Sequence, residues 1–304
     1  MRWKYLITGA GGQLGSVLAV RLHDAGKRVV GVVSAAGPRP PRCHVHPLDL
    51  CRADATSDWV RSARPACIIH TAAITNVNAC HSDPADARAN NVDATLRLVE
   101  LAAERRARFV FTSTDLVFDG RRGGYEESDE AAPLSVYGRT KLEAEKIVRG
   151  YERGAVVRLP LMYGLPAVDR PTTFRSQLDA LRRGAELRLF HDECRSPLWL
   201  DDAVDALDAV ARSDYVGLLH AGGPQRLSRL EMGLLAARAL GVSERNIVSI
   251  SQGEMPTDEP RPPDVSLSSA RFRAVLGREP GRPMSEALPR IAAVFLRERP
   301  VAPS

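Results

Sequence analysis

Thr8-Gly9-Ala10-Gly11-Gly12-Gln13-Leu14-Gly15 follows the apolar run Tyr5-Leu6-Ile7 and leads into Ser16-Val17-Leu18-Ala19-Val20, whose apolar residues have helical spacing. Gly9, Gly12 and Gly15 recur every third residue. A strand, a tight glycine turn and a helix in that order let a pyrophosphate approach the backbone. The free N–H groups and positive end of the helix then face its oxygens. The same glycines also suit a purely structural turn, so the flanking strand and helix carry the reading.

Working outward, short β-rich runs alternate with helical patterns. The pattern predicts strands over Tyr5 to Thr8, Arg28 to Val33, Ala66 to His70, Phe109 to Ser113 and Ala155 to Leu159, and helices over Leu14 to Ala25, Asp86 to Glu104 and Val136 to Arg149. Such alternation predicts an α/β fold, a doubly wound parallel sheet of the Rossmann type, with a ligand crevice at the carboxyl ends of its strands. Beyond Pro160 the pattern loosens around Pro166, Pro171, Pro197 and Pro224. Helices are expected over Thr173 to Arg183, Asp201 to Arg212, Ser228 to Leu240 and Pro283 to Arg297. Residues 1–162 read as the dinucleotide-binding domain. Residues 163–304 read as mainly a smaller C-terminal substrate-binding lobe, with some segments returning to the first domain. Gly253 to Asp264, rich in proline, reads as a loop.

The 304 residues suffice for two domains or one large one, and 44% hydrophobic with 26% charged residues excludes wholesale disorder. The net charge of +5 is too dispersed to argue for nucleic acid. No apolar run approaches the roughly 18 residues that span a bilayer, and the first apolar run meets glycine too soon for a secretory core, so a cytoplasmic protein without a membrane partner is expected. Cys43, Cys51, Cys67, Cys80 and Cys194 are odd in number and form no close pair, which argues against a disulfide framework or zinc knuckle. His44 and His46 fall in a Pro- and Arg-rich loop without a second ligand pair, and no metal site is expected.

Two further motifs carry chemistry. Tyr137-Gly138-Arg139-Thr140-Lys141 puts a phenol and an ammonium one turn apart on a helix, where the cation would lower the phenol's pKa and suit it to proton transfer. By itself this spacing also fits a solvated helix face. Phe111-Thr112-Ser113-Thr114-Asp115 ends an apolar strand in polar groups at the expected crevice, where hydroxyls could bond a substrate carbonyl or simply cap the turn.

Together these motifs resemble the extended short-chain dehydrogenase/reductases, and among them the dTDP-4-dehydrorhamnose reductase family. The resemblance runs through the glycine turn, Leu48-Asp49-Leu50, His70-Thr71-Ala72-Ala73, Asn91, Ser113 to Gly120, Pro133 to Lys141, Arg158-Leu159-Pro160, Arg195-Ser196-Pro197 and Asp201-Asp202-Ala203. It implies Thr114, Tyr137 and Lys141 as the catalytic set: Tyr137 protonating a sugar ketone as hydride arrives, Thr114 bonding the same oxygen, and Lys141 holding the ribose hydroxyls. It implies a cofactor site of Gly9, Gly11, Gly12, Gln13, Leu14 and Gly15, with Asp49 and Leu50 at the adenine, Ala72 and Ala73 on the wall, and Asn91 supporting the backbone. The implied substrate is a nucleotide-linked 4-keto sugar. A nucleotide-sugar epimerase, or a cofactor-binding regulatory subunit like the methionine adenosyltransferase β-subunit, are the alternatives.

Leu116 replaces the tyrosine usual in these reductases and the glutamate of related dehydratases, and it cannot transfer a proton. Ser16-Val17-Leu18 lacks the glutamate with which some relatives bind magnesium between subunits, so any homodimer is expected without that metal. Ser34 ends the second strand where NAD-preferring relatives carry an acid, and Arg39 and Arg42 follow with no carboxylate before Asp49. NADP(H) is therefore the expected cofactor, NAD(H) the alternative. Arg121-Arg122 reads as a solvated loop tip, Asp201 and Asp202 as helix caps, and Arg175 as a weak candidate for diphosphate contact.

Overall fold

The computed structural model describes residues 4–255 and 257–298. The chain runs β1 (Tyr5–Thr8), α1 (Gln13–Asp24), β2 (Val29–Val33), β3 (His44–Pro47), α2 (Ala53–Ala63), β4 (Cys67–His70), α3 (Val77–Ser82), α4 (Pro84–Arg88), α5 (Ala94–Ala103), β5 (Arg108–Thr114), α6 (Val136–Arg149) and β6 (Gly154–Leu159). It continues through β7 (Met162–Tyr163), α7 (Thr173–Arg183), β8 (Leu187–Phe190), β9 (Cys194–Arg195), β10 (Leu198–Trp199), α8 (Leu200–Arg212), β11 (Gly217–His220), β12 (Leu227–Ser228), α9 (Arg229–Leu240), β13 (Ile247–Ile250), α10 (Ala270–Leu276) and α11 (Met284–Phe295).

Seven strands form one parallel sheet in the order β11-β6-β5-β4-β1-β2-β3. Alternate residues of each strand point to opposite faces. Tyr5 and Ile7 therefore share a core with Leu14, Val17 and Leu18 of α1 and with Val204 and Leu207 of α8, whereas Leu6 shares one with Val60, Leu98 and Val148 of α2, α5 and α6. Both faces are covered, which is why β1, β4 and β5 are buried throughout and carry the apolar runs Tyr5-Leu6-Ile7, Cys67-Ile68-Ile69 and Phe109-Val110-Phe111. The order reverses at β1, flanked by β2 on one side and β4 on the other, and it is at the carboxyl ends beside such a reversal that sheets of this kind bind ligands.

Three expectations need correction. His44 and His46 lie in a strand, not a loop: β3 pairs with β2 at the sheet edge, and His46 stacks on Trp59 at 4.4 Å. The helix expected over Asp86 to Glu104 is interrupted by a π-helical turn, Ala89–Asp93, between α4 and α5. Asp201 and Asp202 do not cap α8, whose N-cap is Trp199 without a side-chain bond; Asp202 instead accepts from the backbone N–H and Nε of Arg282, both at 2.9 Å.

The second half forms three two-stranded pieces, β10-β7, β12-β9 and β13-β8, and returns α8 and β11 to the main sheet. Among the described residues no helix is long and apolar enough to cross a membrane.

Candidate active site

The glycine turn is shaped by close approach. Gly9 has φ +66°, and a Cβ there would lie 2.7 Å from Ala72 N; a Cβ at Gly12 would lie 2.9 Å from Gly9 O, and one at Gly15 would overlap that same carbonyl. The turn is thus pressed onto the loop after β4, where Thr8 Oγ1 accepts from the N–H groups of Thr71 and Ala72 at 3.2 Å. Gly12 caps α1 without a side-chain bond, and the first turn holds no acid, so the positive helix end is uncompensated. These are the features a dinucleotide pyrophosphate requires, and the cradle fits that group.

Other residues from the sequence argument gather around the turn. Ala72 lies against Gly9, and Ala72 and Ala73 are both half-buried in the loop after β4. Asn91 is buried in the π-helical turn, its Oδ1 accepting from Ile74 N at 2.8 Å and its Nδ2 donating to Ile74 O and Thr140 Oγ1; it braces the backbone. Asp49 is exposed beyond β3 and accepts from Cys51 N, beside the half-buried Leu50. Ser34 is exposed at the end of β2. Arg39 is exposed and makes no ion pair among the described residues, whereas Arg42 pairs with Asp24 at 3.0 Å. Arg170 was not singled out from sequence; from the connection after β7 it donates to Gly11 O at 2.9 Å. Arg175 is directed elsewhere, to Glu298 at 2.6 Å. Arg121 and Arg122 are exposed but paired, with Asp119 and Asp129 respectively.

Thr114, Tyr137 and Lys141 converge at the carboxyl end of β5. Ser135 caps α6 by accepting from Gly138 N at 3.0 Å, and a Cβ at Gly138 would overlap Leu116 O. That close approach packs the Tyr137 ring against Leu116, two residues beyond Thr114, and the side chains of Thr114, Tyr137 and Lys141 are all buried. One sequence inference is reversed. Burial raises the Tyr137 pKa far above its ordinary value, with Thr114 only partly opposing it, and Lys141 has no resolved part in the balance. Lys141 is itself lowered to about 7 by burial, against the attraction of Glu145, and its ammonium lies 4.0 Å over the Phe111 ring. Burial disfavours the charged form of both groups, against the lowered phenol that the four-residue spacing suggests.

Sequence reasoning missed the charges behind this set. Glu145, one turn beyond Lys141, is held in two bonds by Arg158 at 2.8 and 2.7 Å and accepts from Ser113 Oγ. His220, returned on β11, bonds Arg158 and is kept neutral by burial, its pKa lowered to about 3. The Lys141-x-x-x-Glu145 spacing was the available signal for the first of these. Glu259, in the proline-rich segment, accepts from Val136 N at 2.8 Å and fastens that segment to the start of α6.

The sequence profile of the RmlD substrate binding domain family matches residues 3–296. The chain belongs to this family. It is 30% identical over 294 residues to a dTDP-4-dehydrorhamnose reductase of Mycobacterium tuberculosis, covering 94% of this chain and 91% of that one. It is 29% identical over 278 residues to a probable low-salt glycan biosynthesis reductase of Haloferax volcanii, covering 89% and 91%. Among solved structures, the dTDP-4-dehydrorhamnose reductase of Bacillus anthracis in complex with NADP agrees in fold, with a TM-score of 0.84 at 23% identity and coverage of 97% and 100%. The α/β doubly wound fold and the membership read from the sequence motifs both hold.

Proposed function

We propose that this RmlD-family chain is an NADP(H)-dependent reductase of a nucleotide-linked 4-keto sugar. Thr114, Tyr137 and Lys141, buried around the carboxyl half of β5, two strands from the glycine turn that follows β1 in the same parallel sheet, carry the reading. Its dTDP-4-dehydrorhamnose reductase relatives and the NADP of the Bacillus anthracis enzyme support it.

Bound dinucleotide supplies the hydride. The residues of the chain do the rest. The N-terminus of α1 and the glycine turn hold the phosphates, and Asn91, by fixing Ile74, keeps the crevice wall in place. Thr114 and Tyr137 meet the ketone oxygen. The raised pKa keeps the phenol protonated, the form a general acid needs, and its proton moves to the oxygen as negative charge develops there. Lys141, charged below about pH 7, donates to ribose hydroxyls. Leu116 offers no proton, so elimination chemistry lacks its base.

The direct test is NADPH oxidation at 340 nm against a panel of dTDP- and UDP-linked 4-keto sugars. Turnover of at least one, with NADPH binding in fluorescence titration, is expected. NADPH binding without turnover of any of them would leave a cofactor-binding regulatory subunit as the better account.

A further inference from the structure

The glycine turn has no cation of its own. Gly9 to Gly15 contain no charged side chain, and the N-terminus of α1 offers only about half a positive charge, whereas a dinucleotide pyrophosphate carries a negative charge on each phosphate. A cationic side chain brought to this turn from elsewhere in the fold would meet that charge. Arg170 is so placed. Its Nη1 donates to Gly11 O at 2.9 Å and lies 3.9 Å from the position that a Cβ on Gly12 would take. Gly12 is the second of the three spaced glycines, the one whose bare backbone a pyrophosphate approaches, so the guanidinium stands on the phosphate side of the turn. The connection that carries Arg170 is fastened at both ends: Ala167 N donates to Oγ of the buried Ser16 at 3.2 Å, and Phe174 of α7 shares a core with Leu14 of α1. Arg170 itself is exposed and, among the described residues, makes no ion pair. Its charge is uncommitted, while its place over the turn is set by a tethered connection.

We propose, on the reading of this turn as a dinucleotide site, that Arg170 is a binding residue for the cofactor pyrophosphate, supplied to the glycine cradle by the second half of the chain. A neutral carbonyl is a weaker acceptor than an anionic phosphate oxygen, so the guanidinium gains by turning from Gly11 O to the pyrophosphate, and its planar fork can bond two oxygens at once. The same contact ties the connection between β7 and α7 to the bound cofactor.

Fluorescence titration with NADPH and with NADH tests this, since both carry the pyrophosphate and only NADPH carries the 2′-phosphate. Arg170→Ala is expected to weaken both by about 10-fold, with the unfolding midpoint of the ligand-free protein little changed. Loss of NADPH affinity alone would put the contact on the 2′-phosphate and overturn the assignment. Two further variants separate charge from bracing of the turn. Arg170→Lys keeps the charge and stays within about threefold of wild type, whereas Arg170→Gln keeps an N–H for Gly11 O without the charge and loses as much as Arg170→Ala. An Arg170→Gln protein that binds like wild type would make Arg170 a brace only, and an Arg170→Ala protein that binds as well as wild type or better would show the guanidinium idle or in the way; either result overturns the proposal. A wild type that binds neither nucleotide refutes the dinucleotide reading, and the proposal with it, whereas wild-type binding that Arg170→Ala leaves intact refutes the proposal alone.

Discussion

In the first half of the chain, β1, β4 and β5 are buried from end to end between two helical layers, and the glycine turn is held by backbone pressed against backbone. The second half shares the apolar core of β1 and α1, through residues such as Phe174, Leu207, Met232 and Phe295, and adds polar ties to it. Its two-stranded pieces are tied together by arginine–carboxylate pairs and side-chain bonds to backbone, such as Arg282 with Asp202, Arg226 with Asp264 and Ser196 with Leu267. Burial between layers is non-directional and spread over many residues, whereas an ion pair depends on both partners being present. The first half should therefore fail through steric intrusion, and the second through removal of one charge.

Gly15→Ala is the harshest expected perturbation. Its Cβ would overlap the carbonyl of Gly9 and lie 2.8 Å from Thr71 Oγ1, neither of which can withdraw without moving β1 against β4. Overpacking of this kind costs about 1–3 kcal/mol or more, read as a lower midpoint in thermal unfolding. Because the same shift closes the cradle, NADPH fluorescence should show no saturation. Near-normal NADPH affinity would mean that the turn is looser than its contacts require.

Tyr137→Phe comes next and acts on chemistry alone. The ring still packs, so NADPH affinity and thermal stability should change little while kcat falls by about 10² or more. Rates within threefold of wild type would remove Tyr137 from proton transfer. Asp202→Ala then tests the second half. It leaves the Arg282 guanidinium, which also lies 4.9 Å over the Trp199 ring, without its carboxylate. A loss of about 1–3 kcal/mol is expected in urea unfolding, with NADPH affinity unchanged because this pair lies outside the glycine cradle. A coupled loss of cofactor binding would show that this pair also supports the glycine cradle.

The same contrast explains what could be read from the sequence. Strands buried on both faces and helices with one apolar stripe announce themselves locally, so β1 fell on Tyr5 to Thr8 and α6 on Val136 to Arg149 as expected. β3 did not, because His44-Val45-His46-Pro47 is a half-exposed edge strand with no apolar pattern. Gly217–His220 is four residues long, and only its pairing with β6 makes it a strand. At the site, Thr114, Tyr137 and Lys141 were legible as motifs, but their electrostatics were not. Spacing puts Lys141 on the Tyr137 face of α6, yet burial, which spacing does not report, lowers the lysine and raises the phenol. Asp202 was misread for a similar reason, since its partner Arg282 is 80 positions away.

The smallest expected effect concerns cofactor choice, where an exposed loop of the first half behaves more like the second. Ser34 ends β2 without a negative charge, and two arginines follow that the sequence cannot tell apart. The structure separates them: Arg42 is engaged with Asp24, whereas Arg39 is exposed and makes no ion pair among the described residues. A guanidinium already satisfied by a carboxylate gains little by exchanging it for a phosphate, but an unpaired one gains a charge-assisted bond of about 1.5 kcal/mol, roughly a 10-fold preference. Arg39→Ala should therefore weaken NADPH binding by up to about 10-fold and leave NADH binding unchanged, while Arg42→Ala should alter neither by more than about twofold. Ser34→Asp should move the preference toward NADH by a similar factor, because the new carboxylate repels a 2′-phosphate and accepts from free ribose hydroxyls. Fluorescence titrations with both nucleotides read all three variants. If Arg42→Ala matched or exceeded the Arg39→Ala effect, the Asp24 pair would have to break on binding, and ion pairs on this loop would be as exchangeable as solvent.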